Sequence, residues 1–232
     1  MDDLTTRIRG HLLENGASVA GIADLSPPGL SPELELRRAV VWGIALDPAV
    51  VRGLAAGPSE DYGREYSAVN RRLAALVPGV ADLISGAGFR ATAVDPTTAA
   101  FDMATLSAGF QHKTAATRAG LGWVGKCALL VTRRYGSAVR FASVLTDAPL
   151  TADTPIERSS CGPCEGCRTA CPASAVSGLE WRPGLERDAF WDSRACHAHC
   201  RQVADELGLE HPMCGACIVA CPWTQRYLAR EE

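Results

Sequence analysis

Nine of the ten cysteines lie beyond residue 160, and their spacing restricts what that part of the chain can fold around. The run Cys161-Gly-Pro-Cys164-Glu-Gly-Cys167-Arg-Thr-Ala-Cys171-Pro172 reads C-x2-C-x2-C-x3-C-P, and Cys214-Gly-Ala-Cys217-Ile-Val-Ala-Cys221-Pro222 echoes it. In the bacterial two-cluster pattern, three close cysteines wrap one cubane and the fourth ligates the other. Closely spaced thiolates on a tight loop can face a single cubane, whereas the longer x3 step carries the next cysteine past it. On that logic Cys161, Cys164, Cys167 and Cys221 hold one [4Fe-4S] cluster, and Cys171, Cys214 and Cys217 belong to a second. The second set lacks one thiolate. Either Cys196 or Cys200, from Asp192-Ser-Arg-Ala-Cys-His-Ala-His-Cys-Arg201, supplies it, with Cys196 preferred.

Structural zinc also uses paired cysteines. It is disfavoured because the x2, x2, x3 run followed by proline leaves odd cysteines that only a crossed arrangement employs. His197 and His199 read as exposed residues at a helix start. Disulfides are disfavoured by compartment: Asp2 and Asp3 stand where a signal peptide would be positive, and no apolar run reaches bilayer length. A cytoplasmic protein without membrane association is expected, where thiols stay reduced.

Helices and strands alternate as far as about Leu150. Apolar spacing predicts a helix over 4–13, a buried strand over 18–24 and a central strand over 38–46 that ends at Asp47-Pro48. Helix is predicted from about Tyr62 to Ser85 with an interruption near Pro78, then a strand over 89–94 and a helix over 113–118. Two further strands, 127–132 and 139–145, are predicted to be joined by a turn at Tyr135-Gly136. Pro27, Pro28 and Gly29 break the chain. The polar stretch 151–160 marks a boundary, giving domains 1–152 and 153–232, and one helix, 201–207, is predicted in the second. That segment is too poor in apolar residues for its own core, so metal binding would supply folding free energy.

With 47% apolar and 21% charged residues the chain is globular. Its formal charge of −3 over 232 residues does not promise the basic face that tRNA binding needs.

The block Ala119-Gly-Leu-Gly-Trp-Val-Gly-Lys126, then Ala128-Leu-Leu-Val-Thr, Gly136-Ser137 and Ser143-Val-Leu-Thr-Asp-Ala-Pro-Leu150, resembles the epoxyqueuosine reductase family, in which a similar block precedes a two-cluster segment. The match runs through both cysteine runs to Cys221-Pro-Trp223. More weakly, it extends upstream through Gly21-Ile-Ala-Asp24, Arg38-Ala-Val-Val41, Asp61-Tyr-Gly-Arg-Glu-Tyr66 and the stretch from Phe89 to Asp95.

The resemblance implies an α+β protein: an N-terminal α/β cobalamin-reductase-like domain followed by a small ferredoxin-like domain with two [4Fe-4S] clusters. It implies a short form, without the C-terminal helical repeats of longer members. Electrons from an external donor of ferredoxin or flavodoxin type would pass through the clusters to a cobalamin, or directly to substrate, bound between the domains. The substrate would be a small molecule or modified nucleoside, in the family the epoxide of epoxyqueuosine in tRNA. The family's general-acid aspartate precedes the glycine block. Counting back from Trp123 lands on Leu106, whereas alignment through Phe89-Arg90 brings Asp95 to the place, with Asp102 the alternative.

Gly120, Gly122 and Gly125 could allow close backbone approach to a flat cofactor beside Trp123, or serve packing alone. Lys126 and His112-Lys113 could offer charge to phosphate or propionamide groups, or be solvated. Cys127 reads as a buried, unreactive thiol. A non-catalytic electron carrier is the rival function.

Overall fold

The computed structural model describes residues 3–26, 35–94, 96 and 101–231. Its helices are α1 (Leu4–Glu14), α2 (Pro48–Gly53), α3 (Glu60–Ala75), α4 (Val77–Ser85), α5 (His112–Arg118), α6 (Gly166–Thr169), α7 (Arg187–Phe190), α8 (Ser193–Leu207), α9 (Ala216–Val219) and α10 (Pro222–Leu228). The strands are β1 (Val19–Asp24), β2 (Arg38–Ala45), β3 (Ala91–Val94), β4 (Phe101–Asp102), β5 (Ser107–Ala108), β6 (Trp123–Val124), β7 (Leu130–Val131) and β8 (Val139–Thr146). The protein is of the α+β class. Its main sheet has the order β1-β2-β8-β3, with antiparallel β1/β2 and β3/β8 pairs, and hairpins β4/β5 and β6/β7 stand apart from it.

Contacts divide the chain into two units. The first comprises 1–44, 69–122 and 140–157; the second comprises 45–68, 123–139 and 158–232. The expected break after residue 152 lies near the start of the last of these segments, while two earlier segments join the cysteine-bearing unit.

In the first unit, Ile8 and Leu12 of α1 and Val80 and Ile84 of α4 are fully buried, as are Ile22, Val40, Val41 and Trp42 of the sheet. Helices α1 and α4 pack on each other and on β1 and β3 respectively, and α5 packs on β1. Asp153 fastens the segment after β8 to β1. Its carboxylate accepts from Ile22 N at 2.8 Å and Arg9 Nη2 at 2.6 Å, while its own N–H donates to the Ile22 carbonyl at 2.9 Å. Helix α5 closes on Gly120, whose φ of +66° permits the paired bonds Leu121 N to Ala116 O and Gly120 N to Thr117 O.

In the second unit, upstream segments add to the buried residues of the C-terminal one. Leu46, Val51, Leu54, Tyr62, Trp123, Val124, Leu130 and Val131, all from upstream, are buried within it. Helix α2, capped by Asp47 through Ala49 N and Val50 N, packs against α9 and α10. The Tyr227 hydroxyl donates to the Leu46 carbonyl at 2.9 Å, and Arg52 donates to the Leu228 carbonyl at 2.7 Å. Gly136, at φ +58°, lies so close beneath α10 that a Cβ there would overlap the backbone nitrogen of Thr224.

Three predicted elements differ. The strand expected over 127–132 is only Leu130–Val131, and it pairs with Trp123–Val124, not with β8. The intervening residues form a turn in which Gly125 N donates to Leu129 O and Ala128 N to Gly125 O, with Ala128 at φ +61°. The Tyr135-Gly136 turn instead closes on Thr132. The helical interruption falls at Leu76, and Pro78 sits in the first turn of α4, where its missing N–H costs nothing. Helix α8 starts eight residues before the predicted 201, because Asp192 accepts from Arg194 N and Ala195 N and caps it there.

Candidate metal centre

The second unit contains a cavity of about 260 Å³ lined by Cys161, Cys164, Cys167 and Cys221, with Gly125, Lys126, Cys127, Trp223 and Arg226 among its other walls. Cys161 and Cys164 lie on the loop before α6, Cys167 lies within α6, and Cys221 caps α10. The two cysteine runs meet at Gly166, where a Cβ would stand 2.8 Å from the Ala220 carbonyl. All four thiols are half-buried and unpaired by disulfides.

Lys126 organises this wall. Only 4% exposed, it donates to the Cys164 carbonyl at 2.9 Å and to Glu165 at 2.8 Å. Burial works against its charge, but the hydrogen bond and charge of Glu165 outweigh that and hold its pKa above the ordinary lysine value. The ammonium is therefore committed to the cysteine loop. Beside it, Trp123 is fully buried and meets Trp223 edge-on at 5.2 Å, and the Arg226 guanidinium lies 4.6 Å over the Trp223 ring.

A second group of thiols lies on α8, α9 and their flanks. Cys196 and Cys200, one helical turn apart, hydrogen-bond each other; Cys214 lies within electrostatic reach of both, and Cys171 within reach of Cys200 and Cys214. The bond with Cys200 draws Cys196 down to about 7, while the same bond and burial push Cys200 up. Cys171 Sγ accepts from Ala175 N at 3.3 Å.

Cys127, absent from the expected ligand sets, is 6% exposed and hydrogen-bonds both Cys167 and Cys217. The bond with Cys167 lowers its pKa, but the bond with Cys217 and burial raise it well above the ordinary thiol value. Its position directly after Lys126 was the one sequence signal available.

Among the described residues no three His, Cys, Asp or Glu side chains converge on a point where a single metal ion would sit. A cubane asks for something else, a cavity with thiols spaced around its rim, and the donor set here is of that kind.

The other expected site residues fall in the first unit. His112 and Lys113 open α5, and His112 Nδ1 pairs with the buried Ser143 hydroxyl at 2.9 Å. Gly120 terminates α5 and Gly122 follows it. Asp102 is exposed and accepts from Ala104 N at 2.8 Å and Thr105 Oγ1 at 2.7 Å; the Thr105 bond, then the Ala104 bond, hold its carboxyl below the usual value. Leu106 occupies the turn of the β4/β5 hairpin at φ +50°. Asp95 lies outside the described residues.

The fold is that of epoxyqueuosine reductases and reductive dehalogenases. A catabolic reductive dehalogenase in complex with 3-bromo-4-hydroxybenzoic acid superposes with TM-score 0.72 at 22% identity, covering 96% of this chain and 33% of that one. An epoxyqueuosine reductase with an epoxyqueuosine-modified tRNA-Tyr stem loop gives 0.62 at 17%, covering 96% and 65%. A dehalogenase whose structure suggests a mechanism for B12-dependent dehalogenation gives 0.69 at 21%, covering 94% and 31%. In sequence, the chain is similar to curated epoxyqueuosine reductases. It is 36% identical over 128 residues to that of Synechococcus sp. (strain RCC307), covering 52% of this chain and 37% of the relative. To that of Pseudomonas aeruginosa (strain PAO1) it is 30% identical over 173 residues, covering 70% and 42%. The matches thus span about two-fifths of these relatives' length. No family model matches the chain. Among the described residues no helix is long and apolar enough to cross a membrane.

Proposed function

We propose that this chain is a cytoplasmic iron–sulfur reductase of the epoxyqueuosine reductase type, relaying electrons from an external donor to a modified nucleoside in tRNA. One observation carries the reading. Four cysteines from two loops more than fifty residues apart, paired by spacing alone, line one cavity. Cys161, Cys164, Cys167 and Cys221 would hold one [4Fe-4S] cluster; Cys171, Cys214, Cys217 and either Cys196 or Cys200 would hold the other. Bound clusters supply single-electron transfer, at potentials set by hydrogen bonds to sulfur and by exposure. Lys126 fixes the ligand loop, and Trp223 with Arg226 walls the cavity.

Asp95 is the better candidate to deliver a proton. Asp102 spends its carboxylate on a turn that keeps it ionised, and an ionised group donates nothing. A corrinoid in the first unit is supported by fold alone, since His112 and Gly120 already have structural partners. The carrier alternative is disfavoured because the curated relatives are named as reductases.

Anaerobic purification with iron, sulfide and cobalt quantified, followed by cobalamin titration and tRNA filter binding at physiological salt, tests the reading. About eight irons per chain are expected. Zinc in their place overturns the reading, and full iron with neither tRNA nor corrinoid uptake returns the carrier. Asp95→Asn should abolish reduction of epoxyqueuosine-containing tRNA while leaving the iron intact; unchanged turnover removes Asp95 from the mechanism.

A further inference from the structure

Arg226 lines the cysteine cavity and is itself exposed, so the thiol-lined wall comes within one side chain of solvent. Three more exposed arginines belong to the same part of the second unit. Arg230, just past the end of α10, donates to the Arg134 carbonyl, which brings Arg133 and Arg134 from the turn after β7 against that helix end. Beneath this junction the rings of Tyr135 and Tyr227 meet edge-on at 5.2 Å.

The charge here is one-sided. Residues 132–139 and 221–231 hold four arginines and one acid, Glu231, in a chain whose formal charge is −3. Among the described residues no carboxylate forms an ion pair with any of the four. Two lie over aromatic rings instead, Arg134 at 5.2 Å from the Tyr135 centroid and Arg226 at 4.6 Å from that of Trp223. A guanidinium so placed keeps its charge at every physiological pH and leaves its N–H donors for other acceptors. Gathered like charges repel one another, a cost that an acidic partner removes.

We propose that the face formed by Arg133, Arg134, Arg226 and Arg230 docks an acidic one-electron carrier protein and admits its electrons to the cluster held by Cys161, Cys164, Cys167 and Cys221. This rests on the iron–sulfur reading above. One electron leaves the reduced carrier and enters one oxidised cluster, and no atom is transferred. Electron-transfer encounters use small interfaces and gain their speed from electrostatic steering, which a compact group of cations beside the cavity supplies. RNA is the other acidic macromolecule to weigh. Its grip draws on a longer run of phosphate contacts than four cations at one cavity wall provide.

The test is stopped-flow reduction of the anaerobically purified, iron-counted protein by fully reduced flavodoxin, an acidic carrier whose anionic flavin hydroquinone gives up one electron to become the neutral semiquinone. Wild type is compared over a range of salt with the double variants Arg133→Glu/Arg134→Glu and Arg133→Gln/Arg134→Gln. Arg71→Glu, an exposed position in the first unit, is the control for net charge. At low ionic strength the reversed pair should react about tenfold or more slowly than wild type, and the neutral pair less so. Both should lose salt dependence, Arg71→Glu should match wild type, and dithionite should reduce every protein to the same extent. If the reversed pair loses iron, the neutral pair decides. Wild-type rates and salt dependence in the doubles overturn the inference, as does equal slowing in Arg71→Glu or a wild type that flavodoxin does not reduce. Unchanged flavodoxin rates with lost tRNA filter binding would give the face to RNA and overturn it too. Wild-type protein without iron would instead fail the iron–sulfur reading itself, a result separable from the others.

Discussion

Lys126→Met tests how far a single ammonium organises the cysteine loop. The wild-type side chain is almost wholly buried, and its two acceptors lie 2.9 and 2.8 Å away. Methionine keeps most of the stem's packing but leaves the Cys164 carbonyl without its donor, at a cost of about 1–3 kcal/mol. The lost bond to Glu165 counts for less, because that carboxylate is 41% exposed and retains Arg168 at 3.0 Å. Relief from burying a charge offsets part of the loss. The net destabilisation is about 2 kcal/mol, or about 30-fold in the folded-to-unfolded ratio. For a chain of this length that corresponds to about 4–8 °C in Tm. Thermal unfolding of anaerobically purified protein, with iron counted before and after mild heating, is the assay; iron should be lost from the variant first. A Tm within a degree or so of wild type, with equal iron retention, would refute the idea that Lys126 holds the loop.

Gly136→Ala should destabilise by about 2 kcal/mol or more, because the new methyl meets Thr224 backbone and the residue must keep φ +58°; denaturant midpoints compared with a surface Gly→Ala control such as Gly53→Ala measure it. Tyr227 gives a pH signature. Burial, and then the charge of Glu231, raise its pKa from 10.0 to about 12. Below about pH 10 both folded and unfolded states hold the phenol proton; between about 10 and 12 only the unfolded state releases it, so stability falls as pH rises, by at most about 3 kcal/mol. Tyr227→Phe should flatten that alkaline limb and, by removing the donor to the Leu46 carbonyl, cost about 1–2 kcal/mol at neutral pH; urea unfolding at pH 8 and pH 11 separates the two effects.

Local patterns were legible where a single element's chemistry decided the outcome. Apolar spacing located α1, β2 and α5 to within about a residue, since each buries one face or lies in the sheet interior. Cysteine spacing paired Cys221 with Cys161, Cys164 and Cys167, and the structure sets all four around one cavity. What stayed hidden depends on partners distant in sequence. Lys126 could be read as solvated or as phosphate-binding because its acceptors lie 38 and 39 residues further on. The apolar run Cys127–Val131 looked like a strand, yet a tight turn starting at Gly125 shortens it to two residues. Cys127 was rightly read as buried, but burial alone does not reveal which sulfurs share its surroundings.

The chain passes between its two units five times, since 45–68 and 123–139 are separated from 158–232 by stretches of the other unit. During synthesis, Leu46, Val51, Leu54 and Trp123 therefore leave the ribosome well before the residues that will cover them. Their apolar surfaces must wait, shielded or at risk of aggregation, until the last seventy-odd residues emerge. No single cut can release either unit as a fragment that folds alone, and a protein truncated ahead of Arg158 would be left holding several orphaned hydrophobic side chains.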